Sequence, residues 1–72
     1  MLLSAKEMCA LAVKMHDNIC KYPDLRRGQN YFNALDMLYP DLAEEVRGTD
    51  IDPFYVDAKL PAYLKWLGEH LE

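Results

Sequence analysis

Three observations predict an all-α fold for this 72-residue chain. Apolar side chains recur at i, i+3/i+4 and i+7 spacing along most of its length. No run alternates polar and apolar residues as a half-buried strand does. Prolines and glycines stand where helices of that period would start or stop. Together these predict one small domain, residues 1–72, built as a bundle of three main helices with one or two short helical segments. At this length a single core must do without staples, so each large apolar side chain is expected to have a structural task.

The first helix is predicted at about 4 to 22. Ser4 and Glu7 have the spacing of a capping box, in which each side chain accepts a hydrogen bond from the other residue's backbone amide. Met8, Leu11, Ala12, Met15, Ile19 and Tyr22 form its inward stripe, flanked by Cys9, Val13 and Cys20. Lys14, Asp17, Asn18 and Lys21 form the wet side. Pro23 ends the helix, because proline donates no hydrogen bond and pushes the preceding residue out of the helical region.

A second helix follows to about Tyr39, with Asp24 expected as its N-cap. Tyr31, Phe32, Leu35, Leu38 and Tyr39 share one face, and Gln29, Asn30, Asn33 and Met37 the other. Gly28 costs about 1 kcal/mol against alanine within a helix. A close backbone contact, with the first or the last helix, is therefore expected there.

Pro40 opens a third, short helix that carries Asp41 in its first turn and Arg47 in its last, with Gly48 just beyond, the order favoured by the helix dipole and a glycine cap. Asp52-Pro53 is read as the cap and first position of a single helical turn, Pro53 to Val56, which faces Phe54 inward and Tyr55 outward. The last helix is predicted at about 58 to 70, opened by Asp57, with Leu60, Leu64, Leu67 and Leu71 inward. The expected core is Met15, Ile19, Phe32, Leu35, Leu38, Leu42, Val46, Phe54, Leu60, Leu64 and Leu67. Leu71-Glu72 is a pair that commonly precedes a purification tag, and no function is assigned to it.

Charge is unevenly distributed. Residues 1–35 carry Lys6, Lys14, Lys21, Arg26 and Arg27 against three acids, whereas residues 36–58 carry seven acids against Arg47 alone, within a total of −4. The acidic middle repels a phosphate backbone, which makes nonspecific nucleic-acid binding a poor first reading. No stretch has the roughly 20 apolar residues needed to cross a bilayer, and the start lacks a basic segment ahead of an apolar one. A cytoplasmic protein is expected. Cys9 and Cys20 would lie roughly 16 Å apart along one helix, too far to bond. They are read as reduced, small core residues.

No catalytic chemistry is legible. Asp50, Asp52 and Asp57 lack the further oxygen ligands and the glycine of a calcium loop, and are better read as caps. Two histidines, His16 and His70, are expected at the surface, and no metal or cofactor site is predicted. Ser4 serves as a cap and not as a nucleophile. Without a triad, metal set or phosphate loop, the chain is not expected to be an enzyme.

The string Arg27-Gly28-Gln29, Asn33-Ala34-Leu35, Pro40-Asp41-Leu42, Gly48-Thr49, Asp52-Pro53-Phe54 and Trp66-Leu67, over residues 24–68, resembles a group of small uncharacterised proteins from bacteria and their phages. The resemblance implies a helical fold and a phage or prophage origin. It implies no activity.

Two polar constellations remain. Arg26, Gln29, Asn33 and Asp36 share a helical face. The plain expectation is that Gln29 and Asn33 satisfy neighbouring backbone; the alternative is a recognition edge where Arg26 or Arg27 grips a partner's carboxylate or phosphate. Lys59, Tyr63, Trp66 and His70 form a stripe rotated off the leucine face of the last helix. It is either the edge of the core or a set of contact residues, with Tyr63 and Trp66 partly exposed. The leading expectation is a non-enzymatic module that binds another protein, acting on a host factor, through that stripe and the acids Asp41, Glu44 and Glu45. The alternative is a nucleic-acid-associated regulator that uses the basic N-terminal half.

Overall fold

The capping box forms as expected: Glu7 N donates to Ser4 Oγ at 3.1 Å and Ser4 N to Glu7 Oε1 at 2.9 Å. It starts α1 (Ala5–Lys21), the first of four helices in the computed structural model, which describes residues 1–72. The others are α2 (Arg27–Leu38), α3 (Pro40–Val46) and α4 (Leu60–Gly68), the last entered through a 3-10 turn at Asp57–Lys59. There are no strands, so the all-α prediction holds. Helix α2 is the hub: α1, α3 and the 3-10 turn all pack on it, and α4 packs on the 3-10 turn.

That central position explains why a single apolar face did not describe α2. Its buried residues fall on two arcs, one holding Asn30 and Ala34, the other Gly28, Phe32 and Leu35. Leu38, expected in the core, lies between them and is 39% exposed. Asp24 does not cap α2 either; it is exposed, and residues 22–25 form a turn closed by Leu25 N to Tyr22 O at 3.1 Å. The N-cap is Arg26, which makes no side-chain cap bond.

The α1–α2 seam is joined by two amides. Asn18, expected on the wet side, is buried, and so is Asn30. Asn18 Nδ2 donates to Asn30 O at 3.2 Å, and Asn30 Nδ2 donates to Tyr22 O at 3.1 Å. These bonds tie the end of α1 to the start of α2, a task assigned in the sequence to Gln29 and Asn33, which make no such bond. Neither Oδ1 of the pair has a protein partner. The cysteines are displaced in the opposite sense, both being exposed, because they lie on the side of α1 that no other element covers.

Helix α3 begins with Pro40 at its first turn and has Arg47 as its C-cap, and Gly48 follows with φ +76°, the left-handed conformation that favours glycine. Asp52 then closes the loop from both sides, Oδ2 accepting from Gly48 N at 2.8 Å and Oδ1 from Phe54 N at 2.9 Å. The expected orientation holds, with Phe54 packed against the core and Tyr55 outward, but residues 53–56 are not helical. Asp52 supports a turn and not a helix start.

Helix α4 presents a different face from the one predicted. Tyr63 and Leu67 are buried, Leu60 and Trp66 pack against the core, and Leu64 and Leu71 are exposed. Two stripes compete in that sequence, Leu60/Leu64/Leu67/Leu71 and Leu60/Tyr63/Leu67/His70, at the same helical spacing. The second buries the larger side chain, and the Tyr63 hydroxyl finds an acceptor in Tyr31 O at 3.0 Å. Beyond α4 the two ends of the chain meet: Leu3 N donates to His70 O and Glu72 N to Leu3 O, both at 2.8 Å. Leu3 is thereby fully buried and Leu71 and Glu72 take part in backbone pairing.

Candidate functional site

The residues of the Arg-x-Gly and Asp-Pro-Phe segments converge on the start of α2. Gly28 makes the close contact expected of it, though with the loop and not with a helix. A Cβ built there would lie 2.2 Å from Pro53 O and 2.8 Å from Asp57 Oδ1. The Gly28 amide donates to Asp57 Oδ1 at 3.0 Å, so a carboxylate 29 residues away supplies the acceptor that Arg26 does not. Negative charge is favourable at that helix end. Arg26 donates from Nη2 to Phe54 O, and its Nε stands 3.8 Å from Asp57 Oδ1. Both arginines are exposed, but the Arg26 guanidinium is committed within the chain, which leaves Arg27 as the one without an ion-pair partner.

Next to this junction four side chains stack in sequence. Tyr55 meets Phe54 edge to face at 4.7 Å between centroids, Phe54 meets Phe32 at 5.7 Å, and the Arg47 guanidinium lies 5.2 Å from the Phe32 ring. Arg47 also reaches Glu44 at 2.9 Å and Asp36 at 3.3 Å. The stack borders a cleft of about 190 Å³ lined by Phe32, Arg47, Asp52, Phe54 and Tyr55. Phe32 is buried and Phe54 half-buried, whereas Tyr55 is 78% exposed, the most exposed of the large hydrophobic side chains. The acids of α3 continue from this edge: Asp41, Glu44 and Glu45 are all exposed, and only Glu44 is paired.

The stripe of Lys59, Tyr63, Trp66 and His70 lies largely inward. Tyr63, expected to be partly exposed, has no exposed surface; burial first, and then the Asp52 carboxylate, hold its phenol far above the ordinary value. Trp66 is half-buried against the core, with the His70 ring 4.2 Å away. His70 Nδ1 lies 2.8 Å from Trp66 O, and since a carbonyl only accepts, Nδ1 carries the proton. His70 is therefore half-buried, contrary to its expected surface place. Lys59 is also half-buried and has no carboxylate partner. Gln29 is half-buried and makes no side-chain hydrogen bond.

No group of three or more His, Cys, Asp or Glu side chains is arranged to hold a metal ion. Neither histidine was expected to have a Cys one turn away, yet His16 Nε2 and Cys20 Sγ are 3.6 Å apart at i, i+4; two exposed groups fall short of a ligand set. No helix is long and apolar enough to cross a membrane. Comparison with protein-family models, with curated proteins and with solved structures finds no match. This surface presents an aromatic step, an arginine held between carboxylates and a row of acids.

Proposed function

We propose that the protein is a non-enzymatic binding module for another protein, with the Tyr55 corner and the acidic edge of α3 as its contact surface. The observation that carries this is Tyr55, a large aromatic ring left 78% exposed by a domain that buries Tyr63 and Phe32 completely or nearly so. Tyrosine and arginine at the mouth of a cleft are the side chains that most often dominate binding energy. The exposed acids of α3 and the loop after it, Asp41, Glu45 and Asp50, suit a partner that presents basic groups beside an apolar one. Tyr63 is withdrawn from any contact surface by its burial, whereas Trp66 keeps the partial exposure expected of it. A bacterial or phage origin and a host factor as target rest on the resemblance of the Arg-Gly-Gln to Trp-Leu string alone.

The test is capture of a partner from a bacterial lysate by the wild type, by Tyr55→Ala and by Tyr22→Ala, whose ring lies at the end of α1. The reading expects loss of the captured protein with Tyr55→Ala only, at unchanged thermal stability. Equal capture by all three would sink it. Against the nucleic-acid alternative, Asp17 lies among Lys14 and Lys21 at the same surface depression. A steep fall of DNA or RNA affinity with salt would revive it.

A further inference from the structure

Helix α1 carries more apolar surface than this fold consumes. Its buried residues are Leu11, Met15 and Asn18. Turned by about 100° from that stripe, Ala5, Cys9, Ala12, His16 and Ile19 recur at alternating spacings of four and three, which is the period of a helix–helix seam. The first four are exposed and Ile19 is half-buried. Val13, 60% exposed, borders them, and no charged side chain falls on the arc from Met15 round to Val13. Between α1 and α4 this face deepens into an apolar groove of about 240 Å³, lined among others by Met8, Ala12, Met15, Leu64 and Gly68. Leu64 stands 42% exposed at its rim. A Cβ on Gly68 would meet nothing within 4 Å, so the packing of this chain does not demand a glycine there.

We propose that this face is the interface of a symmetric dimer in which α1 packs antiparallel against α1 of a second copy. The argument for a second copy is that α1 is complementary to itself. A two-fold axis between Leu11 and Ala12 sets Lys6 level with Asp17 of the other copy on one edge, and the half-buried Met8 level with Met15, already buried in its own chain, on the other. Neither Lys6 nor Asp17 has an ion-pair partner within the chain. Along the seam the same axis interleaves the small side chains, with Cys9 of one copy falling between Ala12 and His16 of the other. One symmetry operation thus satisfies the charged edge and the seam, as an isologous interface requires. Antiparallel helix dipoles add to it. Helix α1 is about 25 Å long, which places the contact at the small end of stable interfaces, with dissociation in the micromolar range.

Sedimentation equilibrium under reducing conditions, which exclude cysteine cross-links, tests the proposal. The wild type is expected at twice its 8.4 kDa near roughly 100 μM and to dissociate on dilution. Ala12→Glu should give a monomer with unchanged helical circular dichroism and melting temperature, while Ala10→Glu, on the charged side of α1, should leave the dimer intact. Lys6→Asp and Asp17→Lys should each weaken it about fivefold, and the doubly exchanged chain should recover it. A monomer at every concentration, or a dimer indifferent to Ala12→Glu, overturns the proposal; failure of the double exchange to recover binding overturns the antiparallel arrangement. Tyr55→Ala lies outside this face and should not change the mass, so the dimer and the partner-binding surface fail or survive separately.

Discussion

Helices α1 and α2 begin in opposite ways. The start of α1 is closed by residues three apart, Ser4 and Glu7, whereas the start of α2 is closed by Asp57, which reaches Gly28 N from the far side of the loop. A local cap forms in any conformation that lets the helix form, and so it belongs to the helix. A distant cap exists only once the fold brings the carboxylate in, and so it belongs to the domain. The first should affect one helix end, the second the docking of loop, α2 and α4 together.

The sharpest way to break this comparison is at Gly28. Gly28→Ala should destabilise the domain by about 3 kcal/mol, since the added methyl meets a backbone carbonyl that has no freedom to swing away. Gly68→Ala, in open space, should be neutral or stabilise by up to about 1 kcal/mol. Chemical denaturation of the two variants measures both, and equal effects would remove the distinction between them. Asp57→Ala should cost about 2 kcal/mol, for loss of a charged acceptor at a helix start. Asp57→Asn, which keeps the acceptor, should recover more than half of that. Ser4→Ala should cost about 1 kcal/mol, with amide exchange accelerated at residues 5–8 and little changed in α2. An effect of Ser4→Ala that spreads into α2 would contradict the local character of the first cap.

An effect of the same size as that of Ser4→Ala sharpens the comparison through another long-range tie, Tyr63 to Tyr31 O. Tyr63→Phe should cost about 1 kcal/mol. Its pH dependence is more telling. The folded phenol titrates well above its ordinary 10.0, so the unfolded chain loses its proton first. Stability from this group is complete below pH 10 and declines as the pH rises above that value. An alkaline titration of unfolding should show wild type losing its advantage over Tyr63→Phe from about pH 10 upward. Parallel curves would mean that Tyr63 ionises in the folded state as readily as in the unfolded one.

What was legible in the sequence follows the same division. The Ser4–Glu7 box, Pro40 at a helix start, Gly48 just past a helix end and the outward Tyr55 all depend on neighbours within a few residues. All four are present. The site was half legible: the Arg-x-Gly and Asp-Pro-Phe strings stood out, but their shared junction did not, because Asp57 and Gly28 are related only through the fold. Asn18 and Asn30 gave no signal, since an asparagine on a helix looks solvated until another helix end covers it.

The sequence alone determined that this chain is helical, where its helices stop, and that Tyr55 and Phe54 point in opposite directions. These rest on steric and hydrogen-bonding rules that act over one or two turns. The tertiary structure decided which face of α4 is inward, that α2 is buried on two arcs, and that Leu3 meets Leu71. Each of these compares alternatives of nearly equal local energy. A leucine stripe and a tyrosine stripe fit one helix equally well, and only the carbonyl of Tyr31 and the space beside it distinguish them.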